Sequence, residues 1–142
     1  MNLPAKTEYA CLAVLELTHW HGTGDVVRVR DIAERQGIPS PFLVQILLQL
    51  KSAGLVESTR GASGGYRLIR DPAQLTVGEV VSIIEGGGGE WQSNATRTTP
   101  ATRTLLEVWS ETEAARRDVL DGVTFADLRE RVRDHAESMY YI

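Results

Sequence analysis

The segment SPFLVQILLQLKSAG (residues 40–54) constrains the fold more than any other part of the chain. Ser40 can cap the free amide groups at a helix start, and Pro41 suits a first helical position, where its missing N–H costs nothing. Gly54 is a typical stop signal. The spacing of the apolar residues predicts a helix with one buried stripe, made of Leu43, Ile46, Leu47 and Leu50.

The stretch VESTRGASGGYRL (residues 56–68) follows this helix at once. Its β-leaning segments, 55–59 and 66–69, flank the tip RGASGG, so it predicts a two-stranded hairpin. Arg60 stands at that pliable tip, where it is placed to reach a minor groove or a guanine edge. Glycines also let the backbone approach phosphates closely.

The residues before this segment supply the other half of a motif. Apolar spacing predicts a helix over residues 5–19, and VVRV (residues 26–29) favours a brief strand. A two-turn helix in RDIAERQGI (residues 30–38) stops at Gly37. The order of helix, short helix, turn, capped helix and hairpin predicts a mainly α, winged helix-turn-helix fold, whose second helix fits a major groove about 12 Å wide. A winged helix that serves only as a protein-interaction module is the alternative.

The second half of the chain has four parts. TVGEVVSIIEG (residues 76–86) starts with a capping box, Thr76 with Glu79, and four glycines then open an aperiodic stretch that ends near residue 103. A helix is predicted over 105–120, and a short one from Thr124, where Asp127 repeats the capping pattern. The expected units are a DNA-binding domain at 1–85, a glycine-rich loop at 86–104 and a long helix with a short C-terminal helix at 105–142.

Charge and composition narrow the class of function. The net charge of −4 is unevenly spread, because residues 1–70 carry +2 and residues 71–142 carry −6, as expected for a slightly basic working end. No nucleophilic triad or paired-carboxylate motif is present, so no enzyme activity is expected. Without a long apolar run or a signal-peptide pattern, the expected location is the cytoplasm, with no membrane partner.

Five ordered motifs carry a resemblance to a known family. They are KTEYA (6–10), DIAERQGIP (31–39), LLQLKSAGLVESTRGASGGYRL (47–68), LTVGEVVSIIEG (75–86) and TFADLRERV (124–132). Together they resemble the Rrf2-type transcription regulators from the N-terminus to about residue 132. The resemblance implies a homodimeric repressor that binds double-stranded DNA at a near-palindromic operator.

The resemblance also implies roles for individual residues. The positions expected to contact the DNA, from the helix or from the wing, are Lys6, Ser40, Pro41, Val44, Gln45, Gln49, Arg60, Gly61, Ala62 and Ser63. The long helix is expected to cross its partner's copy through its less polar stripe, Leu105, Leu106, Trp109, Thr112, Val119 and Leu120.

The chain departs from the family at the cofactor. Sensors of this type hold an iron–sulfur cluster on three cysteines in the loop before the long helix, and those positions are Trp91, Arg97 and Arg103 here. No cofactor is therefore expected. The same three residues are instead candidates for an effector loop, which would meet a small molecule or a protein, unless the loop is a linker that has lost its function.

A metal or redox sensor with other ligands is the remaining alternative. Glu8 occupies a position where a few relatives use a glutamate ligand, while His19 and His21 form an H-x-H pair at a helix end. Neither set has an evident partner, and no metal site is expected. Cys11, the single cysteine, is expected on a buried helix face, where a thiol is inert.

Overall fold

A mainly helical chain with one small sheet emerges from the computed structural model, which describes residues 1–140. The described part has six helices and a two-stranded antiparallel sheet, which confirms the predicted fold class. None of these helices is long and apolar enough to cross a membrane. The elements are α1 (Ala5–His19), α2 (Val29–Gln36), α3 (Ser40–Ser52), β1 (Val56–Thr59), β2 (Gly65–Leu68), α4 (Val77–Glu85), α5 (Pro100–Asp121) and α6 (Phe125–Tyr140).

The core lies where α1 packs against α3, α4 and α6. The predicted α3 stripe is confirmed, since Leu43, Ile46, Leu47 and Leu50 are at most 1% exposed. From the other end of the chain, Phe125 adds the largest fully buried side chain. The apolar core therefore extends from α1 to the start of α6, across the boundary expected at residue 85.

The hairpin forms where the sequence predicts it. Its strands pair from Val56 with Leu68 to Thr59 with Gly65. The brief strand expected in VVRV is wrong for most of its length, because Val29 already belongs to α2. Val27 alone pairs with the hairpin: its N–H donates to the Tyr66 carbonyl at 2.7 Å, and the Tyr66 N–H donates back at 2.8 Å.

Two helix starts differ from the sequence prediction in their capping. Ser40 does not cap α3; it is the first helical residue, Pro39 is the N-cap, and no side chain caps that end. At α4, Thr76 does accept a hydrogen bond from the Glu79 N–H at 3.1 Å. The Glu79 carboxylate does not reciprocate, since it pairs with Arg70 at 3.1 Å.

Helix α5 starts earlier than predicted. Thr99 and Thr102 form a reciprocal capping box, and Pro100 occupies the first helical position, so the helix begins at residue 100 rather than 105. Arg103 is consequently a helical residue and not part of the loop. The run of threonines hides this start, because threonine is a weak helix former and its capping role shows only in the structure.

Helix α6 is long, and the prediction of a short C-terminal helix is wrong. It has 16 residues and a mostly exposed, charged surface, supported by pairs such as Arg133 with Glu130 at 3.2 Å. Its predicted capping box is confirmed: the Thr124 N–H donates to Asp127 at 3.0 Å, and the Asp127 N–H donates to Thr124 at 3.1 Å. An antiparallel bridge between Thr76 and Thr124 joins the starts of α4 and α6.

Replacing Phe125 with alanine should strongly destabilise the fold. The side chain is fully buried, so its removal leaves a cavity and should lower the free energy of unfolding by about 3–5 kcal/mol. Urea denaturation at fixed protein concentration measures the change. Val132→Ala, at a half-exposed site on the same helix, is the control and should change stability by about 0.5 kcal/mol or less. Equal stability losses in the two variants would contradict the central position of Phe125.

Candidate nucleic-acid interface

The outward face of α3 is set by the stripe that the helix buries. Because the stripe points into the core, Ser40, Pro41, Val44 and Gln45 are all exposed on the opposite side. Val44 remains 43% exposed although it is apolar. The helix thus presents a mixed apolar and amide surface at its N-terminal half, which is the part that reaches base edges in helix-turn-helix proteins.

The tip of the hairpin, called the wing below, projects four exposed residues, Arg60, Gly61, Ala62 and Ser63. Gly61 has a φ of +106°, which side chains rarely adopt, and its carbonyl accepts the Gly64 N–H at 3.0 Å. A Cβ on Gly64 would collide with the Thr59 carbonyl, so the turn requires glycine there. These constraints leave the Arg60 side chain facing solvent.

The base of the wing lies directly against the segment before α2. A Cβ on Gly65 would collide with the Val27 carbonyl, so the backbones approach as closely as glycine permits. Arg28, the N-cap of α2, is exposed beside this contact. The sequence pattern does not single out Arg28, because VVRV favours a strand; the position of Arg28 just before a helix is the available signal.

Gln49 has a structural partner instead of an open surface. Its side-chain amide donates to the Ile83 carbonyl at 2.9 Å, and the residue is only partly exposed. It therefore ties α3 to α4 and is not on the same open surface as Val44 and Gln45. Sequence spacing cannot reveal this, because the partner is a backbone carbonyl of a distant helix.

Positive charge is available at the starts of α1 and α2 and at the wing tip. Lys6, Arg28 and Arg60 are exposed and form no ion pair within residues 1–140. Other nearby cations are engaged: Arg67 pairs with Glu57 across the wing, and the Lys51 ammonium donates to Ser58 at 2.7 Å. Uncompensated cations beside an exposed helix and wing are what a phosphate backbone attracts.

The long helix α5 has no buried residue. One face of it is apolar and open: Leu105 is 60% exposed, Trp109 52% and Val119 67%, with exposed Thr112 between them. Val108, which the predicted stripe omitted, is 48% exposed on the same face. Leu106 and Leu120, which the stripe included, are half-buried and face the glycine-rich loop.

The side chains at the family's cluster positions do not fit an iron–sulfur cluster. Trp91 and Arg97 are exposed in the loop, and Arg103 lies in α5. The only thiol, Cys11, is half-buried in α1. Burial, and secondarily the charge of Glu85, raises the pKa of Cys11 to about 11, so the thiol stays protonated at neutral pH.

The alternative metal ligands are dispersed. Glu8, His19 and His21 are all exposed, and the His19 ring packs edge-on against Trp20 at 5.7 Å between centroids. Across residues 1–140, no three histidine, cysteine, aspartate or glutamate side chains converge on a point where a metal ion would fit.

Comparison with known proteins agrees with this geometry. The family profile described as "Rrf2: Iron-dependent Transcriptional regulator" matches residues 3–131. The transcriptional regulator CymR of Bacillus subtilis is 32% identical over 143 residues, which cover 100% of both chains. IscR of Aliivibrio salmonicida is 36% identical over 135 residues, covering 90% of this chain and 77% of that protein.

Solved structures show the same fold. The structure of B. subtilis CymR matches with a TM-score of 0.75 and 31% identity, covering 92% of this chain and 98% of that one. That of T. potens IscR matches with a TM-score of 0.74 and 32% identity, covering 93% of this chain and 88% of that one. The fold is thus that of winged-helix transcriptional regulators.

Proposed function

The chain belongs to the Rrf2 family of transcriptional regulators, and from this premise we propose that it is a dimeric, sequence-specific repressor that works without an iron–sulfur cluster. The observation that carries the proposal is the exposed surface of α3 and of the wing tip, together with the exposed cations Lys6, Arg28 and Arg60, which form no ion pair within residues 1–140. We call this surface the DNA face.

Helix α3 is the reading element of the DNA face. The Gln45 side chain has the donor and acceptor that pair with an adenine edge in the major groove, and Val44 offers apolar contact to a thymine methyl group. Ser40 and Pro41 lie at the helix start, where the backbone amides face a phosphate. The operator should therefore be rich in A·T pairs where these two side chains meet it.

The wing and the flanking cations hold the duplex. Arg60 reaches a groove from the tip, while Gly61, Ala62 and Ser63 allow the tip backbone to approach phosphates. Lys6 and Arg28, exposed at the starts of α1 and α2, are proposed to contact phosphates. Gln49 instead ties α3 to α4 through its hydrogen bond to the Ile83 carbonyl, so we do not propose that it contacts a base.

Dimerisation explains the open face of α5. An exposed stripe containing Leu105, Val108, Trp109 and Val119 is costly in water and marks an interaction surface. A second copy offers the identical stripe, so a two-fold pair buries both and repeats the DNA face on a near-palindromic operator. A dimer seated on that operator excludes other proteins from the same duplex, and repression is proposed on this ground.

A cluster-free mechanism follows from the thiol count. A three-thiolate cluster site needs three cysteines, whereas the chain has one, with a raised pKa. No step of the proposed mechanism passes through iron. The signal must therefore reach the DNA face by another route.

Duplex selection followed by a salt titration tests the function. The protein should enrich a near-palindromic site from random duplexes, and its affinity for that site should fall steeply as salt rises, because bound cations displace counterions from phosphates. Fluorescence anisotropy measures the affinity at each salt concentration. A protein that enriches no sequence and shows no salt-dependent affinity would instead be an interaction module on a winged-helix scaffold.

Removing the wing arginine should weaken operator binding. Arg60→Ala is expected to cost about 1–3 kcal/mol, because an arginine at a base edge makes paired hydrogen bonds. Anisotropy on the selected duplex gives the difference. Arg133→Ala removes an equal charge from α6, away from the DNA face, and should leave the affinity near that of the wild type. If Arg60→Ala binds as tightly as this control, the wing does not contribute.

A charge in the α5 stripe should separate the dimer. Trp109→Asp places a carboxylate where two apolar helices meet, and desolvating it without a partner is costly. Light scattering should give the mass of a monomer. Val132→Asp is the matched control, because Val132 on α6 is 51% exposed against 52% for Trp109. A dimeric mass for Trp109→Asp would place the interface elsewhere.

A further inference from the structure

A cleft of about 580 Å³ lies between the glycine-rich loop, α4 and α5. Its size is that of a metabolite site. The walls include Val81, Leu120 and Trp91, and the loop glycines 86–89 close one side. On the helical period, Glu113, Arg117 and Leu120 lie beside the apolar stripe, whereas Arg116 is in line with it, one turn after Thr112. A dimer through the stripe therefore leaves the Arg117 side of the cleft open.

One arginine of the cleft is already neutralised. Arg116 pairs with Glu85 at 3.1 Å and with Glu113 at 3.2 Å. The hydrogen bond to Glu85 raises the pKa of Arg116, so its charge is permanent. Glu85 also accepts a hydrogen bond from the Thr7 hydroxyl at 2.9 Å, which joins the cleft to α1.

The neighbouring arginine is not neutralised. Arg117 forms no ion pair within residues 1–140. Its guanidinium lies over the glycine loop, since a Cβ on Gly88 would come within 2.5 Å of it. Within residues 1–140, the N–H groups of Gly87, Gly88 and Gly89 donate no hydrogen bond to another backbone group. A guanidinium without an ion-pair partner in the described residues, lying against exposed glycine backbone, is a site for a carboxylate.

An opposite charge faces the same space. Glu90 lines the cleft and has no ion-pair partner among residues 1–140, and next to it the Trp91 ring is 45% exposed. A carboxylate and an aromatic face together attract an ammonium group. The wall contains three carboxylates and two guanidiniums, so its net charge is negative. This charge repels multiply charged anions, whereas a zwitterion without net charge is accepted.

We propose that this cleft binds a free α-amino acid, with the carboxylate on Arg117 and the glycine amides and the ammonium on Glu90 and Trp91. The apolar wall at Val81 and Leu120 receives the side chain. The ligand is the effector of the regulator, and in this respect the inference rests on the proposed function.

The route to the DNA face runs through Glu85. This residue contacts Arg116 on α5 and Thr7 on α1, and Thr7 adjoins Lys6, the phosphate-contacting residue proposed above. A ligand that changes the position of α5 against α4 changes these contacts. The effect on operator affinity therefore depends on the bond between Thr7 and Glu85.

Calorimetry on the full chain tests the site without DNA. The twenty free L-amino acids are titrated singly, with acetate and inorganic phosphate as further probes. At least one amino acid should give saturable binding that neither acetate nor phosphate reproduces. Arg117→Gln should weaken it about tenfold or more, because a charge-assisted hydrogen bond is lost. Arg133→Gln, on α6 and outside the cleft wall, is the matched control and should bind as the wild type does.

The outcomes are distinguishable from those of the proposed function. No saturable heat from any amino acid, equal binding by Arg117→Gln, or acetate binding as tightly as the amino acid would each overturn the proposal. Ligand binding by a protein that selects no duplex would retain the cleft and reject the regulator. For the coupling, Thr7→Val should keep ligand binding but lose the ligand's effect on operator affinity; an unchanged effect refutes the route through Glu85.

Discussion

Burial of one stripe of α3 determines what the molecule presents to its surroundings. Leu43, Ile46, Leu47 and Leu50 fix the rotation of the helix about its axis, so Val44 and Gln45 have no alternative but to face outward. The position of the wing depends on the same packing. Strand β1 starts directly after α3, and the Val27–Tyr66 bridge holds β2 against the start of α2. Loss of the core would therefore remove the surface as well as the stability.

Helix α5 serves different purposes on adjacent faces. Its open apolar stripe is proposed to pack against a second copy of the chain, while Arg117, on the polar face beside the stripe, lines the cleft against α4. Glu85, at the end of α4, contacts Thr7 on α1 and Arg116 on α5. Glu85 thus links the cleft side of α5 to α1, the helix that carries Lys6.

Much of the fold follows from local patterns. The α3 stripe, the hairpin and the glycine at Gly37 depend on spacing and backbone freedom, which the sequence displays directly. The start of α5 and the length of α6 differ from the sequence prediction, because threonine-rich and charged stretches lack the apolar period that indicates a helix. The roles of Gln49 and Arg117 cannot be predicted from local sequence. Gln49 depends on its hydrogen bond to the Ile83 carbonyl, and Arg117 depends on having no ion-pair partner within residues 1–140; only the tertiary structure shows either fact.

The glycines of the wing tip have a thermodynamic consequence. Gly61 and Gly64 permit a turn that no alanine could make, yet glycine loses more conformational entropy than any other residue when it is immobilised. In the complex proposed above, immobilising the tip in a groove therefore costs conformational entropy, which opposes part of the favourable interaction of Arg60 with the duplex.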